Sequence, residues 1–336
     1  MTHGSVRRSP RPNSLILRKI LGPRSIHSMR VVSLLPSATE LLCAVGAEKF
    51  LVGRSHECDW PPSITDRPIL TGQKTSNSAS SAEIDAQVRE LAASDASSLY
   101  TLDVEQLKDL APDLIITQDL CDVCSIDLNT VRRVAADMDP QPEILSLNPQ
   151  TLFDVFDDVL SVGTAVGRER AGRQAMVAMR EGYWSAVDYV NPYVPGPEIL
   201  FLEWMDPPFV GGHWTPGLIE AAGGTHRLNV AGNKSRQVTP EEIIDAQPQR
   251  VIICPCGLNI ERIKAELPNL QSTTWWNQIP AVNNPTPDSV MLVDGNAMFN
   301  RPGPRLVDAY RWLVAWLNDR PEVLPPDFPC QPMMRD

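Results

Sequence analysis

The run Val31-Val32-Ser33-Leu34-Leu35, followed at once by Pro36-Ser37-Ala38-Thr39-Glu40, is typical of a buried strand that leads directly into a helix. Four further apolar runs have strand length, and each is followed at once by the less common side chains of the chain. These runs are Phe50–Gly53, Asp113–Thr117, Glu198–Leu202 and Arg250–Ile253. In open parallel α/β sheets, ligands bind outside the carboxyl ends of the strands. The pattern therefore predicts an α/β protein with a cleft at those ends.

The helix after the first strand has its own start and stop signals. Ser37 and Glu40 have the spacing of a capping box, and Gly46 suits the position just past the last turn. Such a helix would point its N-terminal amides at the space above the sheet, which favours an anionic or carbonyl-bearing ligand.

A long segment without proline or strand signals runs from Asn148-Pro149 to about Val190, with apolar residues at helical spacing. About 40 helical residues would span about 60 Å, which is too long for one helix inside a compact domain. We therefore predict a stiff helix that joins two lobes. The resulting divisions are a disordered or targeting extension 1–29, an N-terminal α/β lobe 30–148, a connecting helix 149–191, a C-terminal α/β lobe 192–320 and a Pro-rich tail 321–336.

Charge is unevenly distributed along the 336 residues. The net charge is −11, yet residues 1–30 hold seven Arg and Lys and no acid, which leaves 23 basic and 41 acidic residues in the rest. An acidic body argues against nucleic acid or an anionic membrane as a partner. No apolar run has the length of about 20 residues that a membrane span needs.

The basic N-terminus resembles an organelle transit peptide, because it is rich in Arg, contains Ser and lacks acids. This predicts a mitochondrial or plastid location. The alternative is an extension upstream of the true start at Met29, which predicts a cytoplasmic protein. A secretory signal is not expected, because Leu15-Ile16-Leu17 is interrupted by Arg18 and Lys19.

Two cysteines form a CxxC pattern, Cys121-Asp122-Val123-Cys124, directly after the third apolar run. His56 and Cys58 follow the second run in the same way, as Cys254-Pro255-Cys256 follows the fifth. Thiolates and imidazoles are the usual ligands of zinc and other soft metal ions. We expect either that His56, Cys58, Cys121 and Cys124 form a zinc, iron or cobalt-type site, or that small polarizable side chains line an apolar pocket.

Aromatic residues crowd the stretch after the fourth run. Trp204, Phe209 and Trp214 lie there, and His213 follows two glycines that would let the backbone approach a ligand. Exposed clusters of aromatic residues usually mark a binding surface, so we expect this loop to contact a ligand rather than to be a flexible turn. Other indoles that could extend this wall are Trp60, Trp275 and Trp276.

Two arginines precede the last helix, in Arg301-Pro302-Gly303-Pro304-Arg305. They are expected either to bind a carboxylate or phosphate of the ligand or to pair with acidic groups of the protein. The chain has no GxxxxGK[ST], GxGxxG or GxSxG motif, so it offers no phosphate cradle and no nucleophile elbow.

The run from Arg30 to Glu40, with Gly46 behind it, resembles the opening of the periplasmic binding proteins for vitamin B12 and ferric siderophores. Leu110–Ile116 resembles the next strand signature of that family, and Thr239–Ile243 before Pro248–Ile252 resembles its second lobe. Further matching segments are Val52-Gly53, Asp59–Pro62, Pro207–Phe209, Ala222–Gly224 and Pro304-Arg305. The resemblance covers about residues 30–320, in order.

This resemblance implies an α/β fold of two Rossmann-like lobes with parallel sheets, joined by a single long helix, with the ligand cleft between the lobes. It places ligand contacts around Cys58–Trp60, in Gln118–Cys124 and in Trp204–Trp214. The residues expected to contact the ligand are Ser37, Trp60, Gln118, Asp119, Trp204, Phe209, His213, Trp214 and Arg301. The family pattern does not require thiols at these places, so the cysteine motifs are a departure from it.

Two functions are consistent with these residues. The first is a non-catalytic protein that holds a cobalamin-like corrinoid, another metal chelate or a related cofactor inside a cell or organelle, with His56, His213 or a cysteine bonded to the metal. Without export, no ABC importer partner is expected. The second is a metal-dependent hydrolase with zinc or iron on His56, Cys58, Cys121 and Cys124, and with Glu57 or Glu203 as general base.

Overall fold

The computed structural model describes residues 29–75, 80–93, 99–119 and 126–333. The predicted extension before Met29 and the CxxC pair Cys121 and Cys124 lie outside these ranges. No helix in the ranges described is long and apolar enough to cross a membrane.

The N-terminal lobe contains a four-stranded parallel sheet in the order β2-β1-β5-β6, and an antiparallel pair β3-β4. Its strands are β1 Val31–Ser33, β2 Leu51–Arg54, β3 Thr71–Gln73, β4 Tyr100–Leu102, β5 Leu114–Gln118 and β6 Glu143–Leu147. Its helices are α1 Pro36–Ala44, α2 Ser81–Ala93, α3 Val104–Asp109 and α4 Leu128–Ala136. The segment that follows the lobe forms α5 Leu152–Ala165 and α6 Glu169–Val187.

The C-terminal lobe has a six-stranded sheet in the order β12-β11-β10-β7-β8-β9. The three inner strands β11, β10 and β7 are parallel, and the outer pairings are antiparallel. Its strands are β7 Ile199–Trp204, β8 Phe209–Val210, β9 Arg236–Gln237, β10 Arg250–Ile253, β11 Val290–Val293 and β12 Cys330–Pro332. Its helices are α7 Thr215–Ala221, α8 Pro240–Ala246, α9 Ile260–Gln271, α10 Pro280–Asn283 and α11 Leu306–Asn318. The predicted α/β class and the two separate sheets are confirmed.

The segment predicted as one connecting helix consists of two helices. α5 ends at Ala165, and Gly167 then adopts a φ of +68° before α6 begins. The helices fold back on each other, because a Cβ on Gly163 would lie only 2.9 Å from the Cα of Gly172. The prediction of a single helix over 149–191 was therefore wrong, because Gly167 forms a turn and Gly163 and Gly172 allow two helices to cross closely. α6 alone runs between the lobes, packing on α5 on one side and on α11 on the other.

Two smaller expectations also need correction. α1 begins at Pro36 with Leu35 as its cap and has no capping box, because the Glu40 carboxylate is bonded to Arg305 instead. The predicted Pro-rich tail supplies β12, which pairs with β11 at the edge of the C-terminal sheet. Phe328 of the same segment stacks on Trp312, with ring centroids 5.1 Å apart.

Candidate functional site

The candidate site is the cleft between the lobes, at the carboxyl ends of the parallel strands. The N-terminal lobe contributes the loops after β2, β5 and β6, and the C-terminal lobe contributes those after β7, β10 and β11. The two lobes touch directly at several points around this cleft, and those contacts determine which predicted residues remain available to a ligand.

His56 lies in the loop after β2, and its ring is held in one orientation. Its main-chain N–H donates to Thr71 Oγ1 at 3.0 Å, and its Nδ1 lies 2.6 Å from the same oxygen. Thr71 donates its own single proton to Ser55 Oγ at 3.0 Å. With the Thr71 proton assigned to Ser55, Thr71 Oγ1 accepts from Nδ1, and this tautomer leaves a lone pair on Nε2.

The Nε2 atom of His56 is buried and has no hydrogen-bond partner among the residues described. Burial lowers the pKa of His56 below its usual value, against the opposing charge of Glu57. The imidazole is therefore neutral at pH 7. Tyr100 covers one side of it, with ring centroids 5.2 Å apart, and donates its hydroxyl proton to Glu57 Oε1 at 3.0 Å.

Cys58 does not share the cleft with His56. Its side chain is completely buried in the core of the N-terminal lobe, 3.1 Å from Thr39 Oγ1. Burial raises the pKa of the thiol to about 11, despite the lowering effect of the Thr39 contact. Among the residues described, Cys58 belongs to no group of three possible metal ligands, and metal binding by Cys58 stays a prediction. Cys254 is buried in the same way in the C-terminal lobe.

The predicted metal site is only partly within the residues described. Cys121 and Cys124 fall outside them, and so does most of the predicted Gln118–Cys124 loop. Gln118 is nearly buried at the end of β5, while Asp119 is exposed and its N–H donates to Asn148 Oδ1 at 2.6 Å. Among the residues described, no three His, Cys, Asp or Glu side chains are close enough to hold a metal ion.

Trp204 belongs to a contact between the lobes. Its indole N–H donates to the main-chain oxygen of Ser81 at 3.2 Å. Ser81, the first residue of α2, in turn donates its N–H and its hydroxyl to Glu266 Oε2 on α9. Trp204, an aromatic residue predicted to contact the ligand, thus hydrogen-bonds to helix α2 of the N-terminal lobe. Sequence reasoning missed Ser81 and Glu266, because neither lies in an unusual motif.

The loop around His213 packs on protein rather than leaving its backbone open to a ligand. His213 has a φ of +51°, and its N–H donates to the Asn233 carbonyl at 2.6 Å. A Cβ on Gly212 would lie 2.3 Å from the backbone nitrogen of Ser235, so glycine is needed for that packing. The ring remains at the lobe boundary, with Nδ1 3.1 Å from Gln150 Oε1.

Burial lowers the pKa of His213, and the charge of Lys234 lowers it further. The neighbouring aromatics divide between core and surface. Trp214 is 8% exposed and donates to the Phe299 carbonyl at 2.6 Å, and Trp275 and Trp276 are buried in the C-terminal lobe. All three indoles are thus buried against protein in this structure, and the ligand contact expected of Trp214 stays a prediction. Phe209 is half-buried in β8.

Arg301 pairs with protein carboxylates, which was the second of its two predicted roles. It is 7% exposed, and its Nη1 lies 2.5 Å from Asp59 Oδ1 and 3.6 Å from Glu40 Oε1. Arg305 donates to both oxygens of Glu40, at 3.0 and 2.6 Å, and lies over the exposed ring of Trp60. These contacts close one end of the cleft.

Ser37 is covered by this end of the cleft. It is 3% exposed, and a Cβ on Gly303 would lie 3.5 Å from its Cα. The N-terminus of α1 therefore faces the loop before α11 rather than an open space, and the contact of Ser37 with a ligand stays a prediction.

Two α/β lobes, each built on a sheet with parallel strands, are joined by one helix and face each other across a cleft. This arrangement defines a binding protein of the helix-linked two-lobe class. The sequence profile of the periplasmic binding proteins matches residues 31–285, and the chain belongs to this family. The family expectation drawn from the sequence is thereby confirmed.

Individual relatives support the same assignment. The vitamin B12-binding protein of Vibrio cholerae serotype O1 is 22% identical over 293 residues, which is 86% of this chain and 88% of that protein. Among solved structures, the periplasmic vitamin B12-binding protein of Vibrio cholerae superposes with a TM-score of 0.63 at 19% identity, covering 87% of this chain and 97% of that one. A periplasmic haem-binding protein from Roseiflexus sp. RS-1 gives 0.66 at 20% identity, covering 88% and 99%. At these identities the structures establish the fold.

Proposed function

We propose that this protein binds a metal-centred tetrapyrrole, a corrinoid or a haem, in the cleft, with His56 Nε2 as an axial ligand of the metal. The observation that carries the proposal is the orientation of His56. Thr71 holds Nδ1, burial keeps the ring neutral, and the lone pair on Nε2 has no partner among the residues described. A neutral imidazole nitrogen, oriented by a hydrogen bond on its other nitrogen, is the usual protein ligand of iron or cobalt.

The surroundings of His56 suit a large, flat and partly apolar ligand. The Tyr100 ring lies beside the imidazole, and the other lobe supplies the half-buried Trp204 at its contact with Ser81. Aromatic faces stack on conjugated rings and exclude water from the metal. Relatives named for vitamin B12 or haem binding are consistent with this class of ligand.

His56 Nε2 is shielded from solvent, so the protein around it has to open before a ligand can reach it. Trp204, Ser81 and Glu266 form one such contact, and Arg301 with Asp59 forms another. We therefore propose that this arrangement is a closed state and that binding proceeds through a more open one.

An absorption titration of the purified protein with hemin, aquocobalamin and a ferric siderophore tests the proposal. We expect saturable 1:1 binding, with a shift of the visible bands, for one of the two tetrapyrroles and not for the siderophore. Preference between hemin and aquocobalamin distinguishes a haem from a corrinoid carrier. Binding of the siderophore alone, or of none of the three, would contradict the proposal.

The hydrolase alternative remains a prediction. Of its proposed bases, Glu57 accepts a hydrogen bond from Tyr100 and Glu203 accepts one from Ser235 at 2.6 Å. Of its proposed metal ligands, Cys58 is in the core. No contact among the residues described favours this alternative over binding.

A further inference from the structure

We infer that Arg301 is a positioning residue for His56: from the C-terminal lobe, it holds the loop Ser55–Asp59 of the N-terminal lobe in the conformation that presents the imidazole. This inference rests on the proposed function, because it concerns how the same histidine becomes ready to bind a metal.

The side chain of Arg301 contacts both a side chain and the backbone of the loop Ser55–Asp59. Nη1 and Nη2 engage the two carboxylate oxygens of Asp59, at 2.5 and 3.2 Å, and Nη2 also donates to the carbonyl of Glu57 at 3.1 Å. Asn296, from the same lobe as Arg301, donates to Asp59 Oδ2 at 2.9 Å and accepts from Arg301 at 3.2 Å. Hydrogen bonds from Arg301 and Asn296 of the opposite lobe therefore hold the loop immediately after His56.

A second arginine holds the loop from within its own lobe. Arg54 Nη1 donates to the Cys58 carbonyl at 2.9 Å and to the Ser55 carbonyl at 3.2 Å. The two guanidinium groups thus bond the carbonyls of Ser55, Glu57 and Cys58. The backbone around His56 is consequently fixed from two sides, and Arg301, together with Asn296, makes that fixation depend on contact between the lobes.

The planar guanidinium is essential to this arrangement. A bidentate pair with Asp59 and a further bond to a carbonyl need several donors in one plane, which arginine has and the lysine ammonium does not. Arg301→Lys keeps the positive charge but loses the pair of parallel N–H donors that bind the Asp59 carboxylate. It should release the Glu57 carbonyl and let the His56 ring take up other orientations.

The test combines ligand-free NMR with ligand binding. The imidazole ¹⁵N signals of His56, assigned by comparison with His56→Ala, are recorded for the parent protein, Arg301→Lys and Asp59→Asn. Arg305→Lys is the matched control, because Arg305 also joins the lobes but pairs with Glu40, and the described part of the chain shows no hydrogen bond from it to the loop Ser55–Asp59. Asp59→Asn is a second approach to the same contact, since half of the Asp59 side chain is exposed and its replacement is better tolerated.

We expect the His56 signals to shift or broaden in Arg301→Lys and Asp59→Asn and to stay unchanged in Arg305→Lys. The dissociation constant for the tetrapyrrole should rise roughly tenfold to hundredfold in the first two variants, the loss typical of removing a group that orients a metal ligand. Unchanged His56 signals in both, or equal shifts in Arg305→Lys, would overturn the inference. If no tetrapyrrole binds the parent, the proposed function fails, and the ligand-free signals still decide whether Arg301 positions His56.

Discussion

At the scale of single residues, the protonation state of His56 determines whether it can bind the metal of the proposed ligand. Thr71 fixes its tautomer, and burial lowers its pKa below the usual value of 6.5. Metal and proton compete for the same lone pair on Nε2, so the pKa sets the pH range over which binding is possible.

We predict that tetrapyrrole affinity falls on acidification at a lower pH than an ordinary histidine ligand would give. The folded pKa is depressed below 6.5, so the neutral form that binds the metal persists to lower pH before protons compete for Nε2. Dissociation constants measured from pH 8 to pH 5 check this. A decline that begins above pH 7 would show that His56 does not have the lowered pKa that its burial produces, or that another group binds the metal.

Asp158 on α5 destabilises the folded state when its carboxyl group is ionised, so its effect on the unfolding free energy depends on pH. Burial, together with the charges of Asp154 and Asp157, raises its pKa to about 7, and its buried Oδ2 has no hydrogen-bond partner among the residues described. A folded pKa above the unfolded value means that the folded state loses stability as pH rises from about 4 to 7, with no further change above that range.

We predict that Asp158→Asn stabilises the protein at pH 8, by on the order of 1 kcal/mol once solvent screening is allowed for. At pH 4 the carboxyl group is largely protonated, so the variant and the parent should then have nearly equal unfolding free energies. Urea unfolding at both pH values measures the difference. An equal effect at pH 4 and pH 8 would mean that the charge of Asp158 is not responsible.

At the scale of elements, α5 and α6 show what the sequence pattern could and could not give. Helical periodicity correctly predicted helix and no strand over this segment. It could not show that Gly167 ends one helix, because an isolated glycine inside a helical pattern is also compatible with a continuous helix. The close crossing at Gly163 and Gly172 depends on the tertiary packing that follows from that turn.

We predict that Gly163→Ala destabilises the protein by about 1–3 kcal/mol, because the added methyl overpacks the crossing with Gly172. Ser161→Ala, on the exposed side of the same helix, is the control and should change stability little. Chemical unfolding of the two variants provides the comparison. Equal stability of Gly163→Ala and the parent would contradict the close crossing of the helices.

The docking of α2 on the C-terminal lobe is the second feature at this scale. Trp204 donates to the first residue of α2, and the exposed Trp184 on α6 has no part in this contact. Removing the indole N–H while keeping an aromatic ring should loosen α2 without emptying the cleft wall.

We predict that Trp204→Phe accelerates tetrapyrrole dissociation roughly twofold to tenfold, the range expected for the loss of one hydrogen bond. Trp184→Phe is the matched control and should dissociate like the parent. Stopped-flow measurement of ligand release into excess apomyoglobin or a corrinoid acceptor gives the rates. The same rate in Trp204→Phe and the parent would mean that α2 does not retain the ligand.

At the scale of the whole molecule, the lobes are held together by contacts between residues that are far apart in the chain. Asp59 and Arg301 are separated by 242 positions, and Ser81 and Glu266 by 185. The order of strands and helices could be predicted because each element has its own local pattern. These pairings could not, because a carboxylate and an arginine so far apart carry no local signal of their contact.

The same limit explains where the structure places the predicted site residues. A position after a strand was enough to bring His56, Trp204 and His213 to the region between the lobes. It was not enough to separate them from Cys58 and Trp214, which follow strands equally closely but turn into the cores. Whether a side chain faces a cleft or a core depends on loop conformation and on the opposite lobe, and neither can be deduced from spacing along one chain.

The central claim is that His56 binds the metal of a tetrapyrrole in the cleft. The most direct test is the absorption spectrum and dissociation constant of the bound tetrapyrrole in His56→Ala, compared with His213→Ala and with His56→Ala supplied with free imidazole. We predict that His56→Ala loses the histidine-ligated spectrum, that imidazole restores it, and that His213→Ala keeps it. An unchanged spectrum and dissociation constant in His56→Ala would contradict the account.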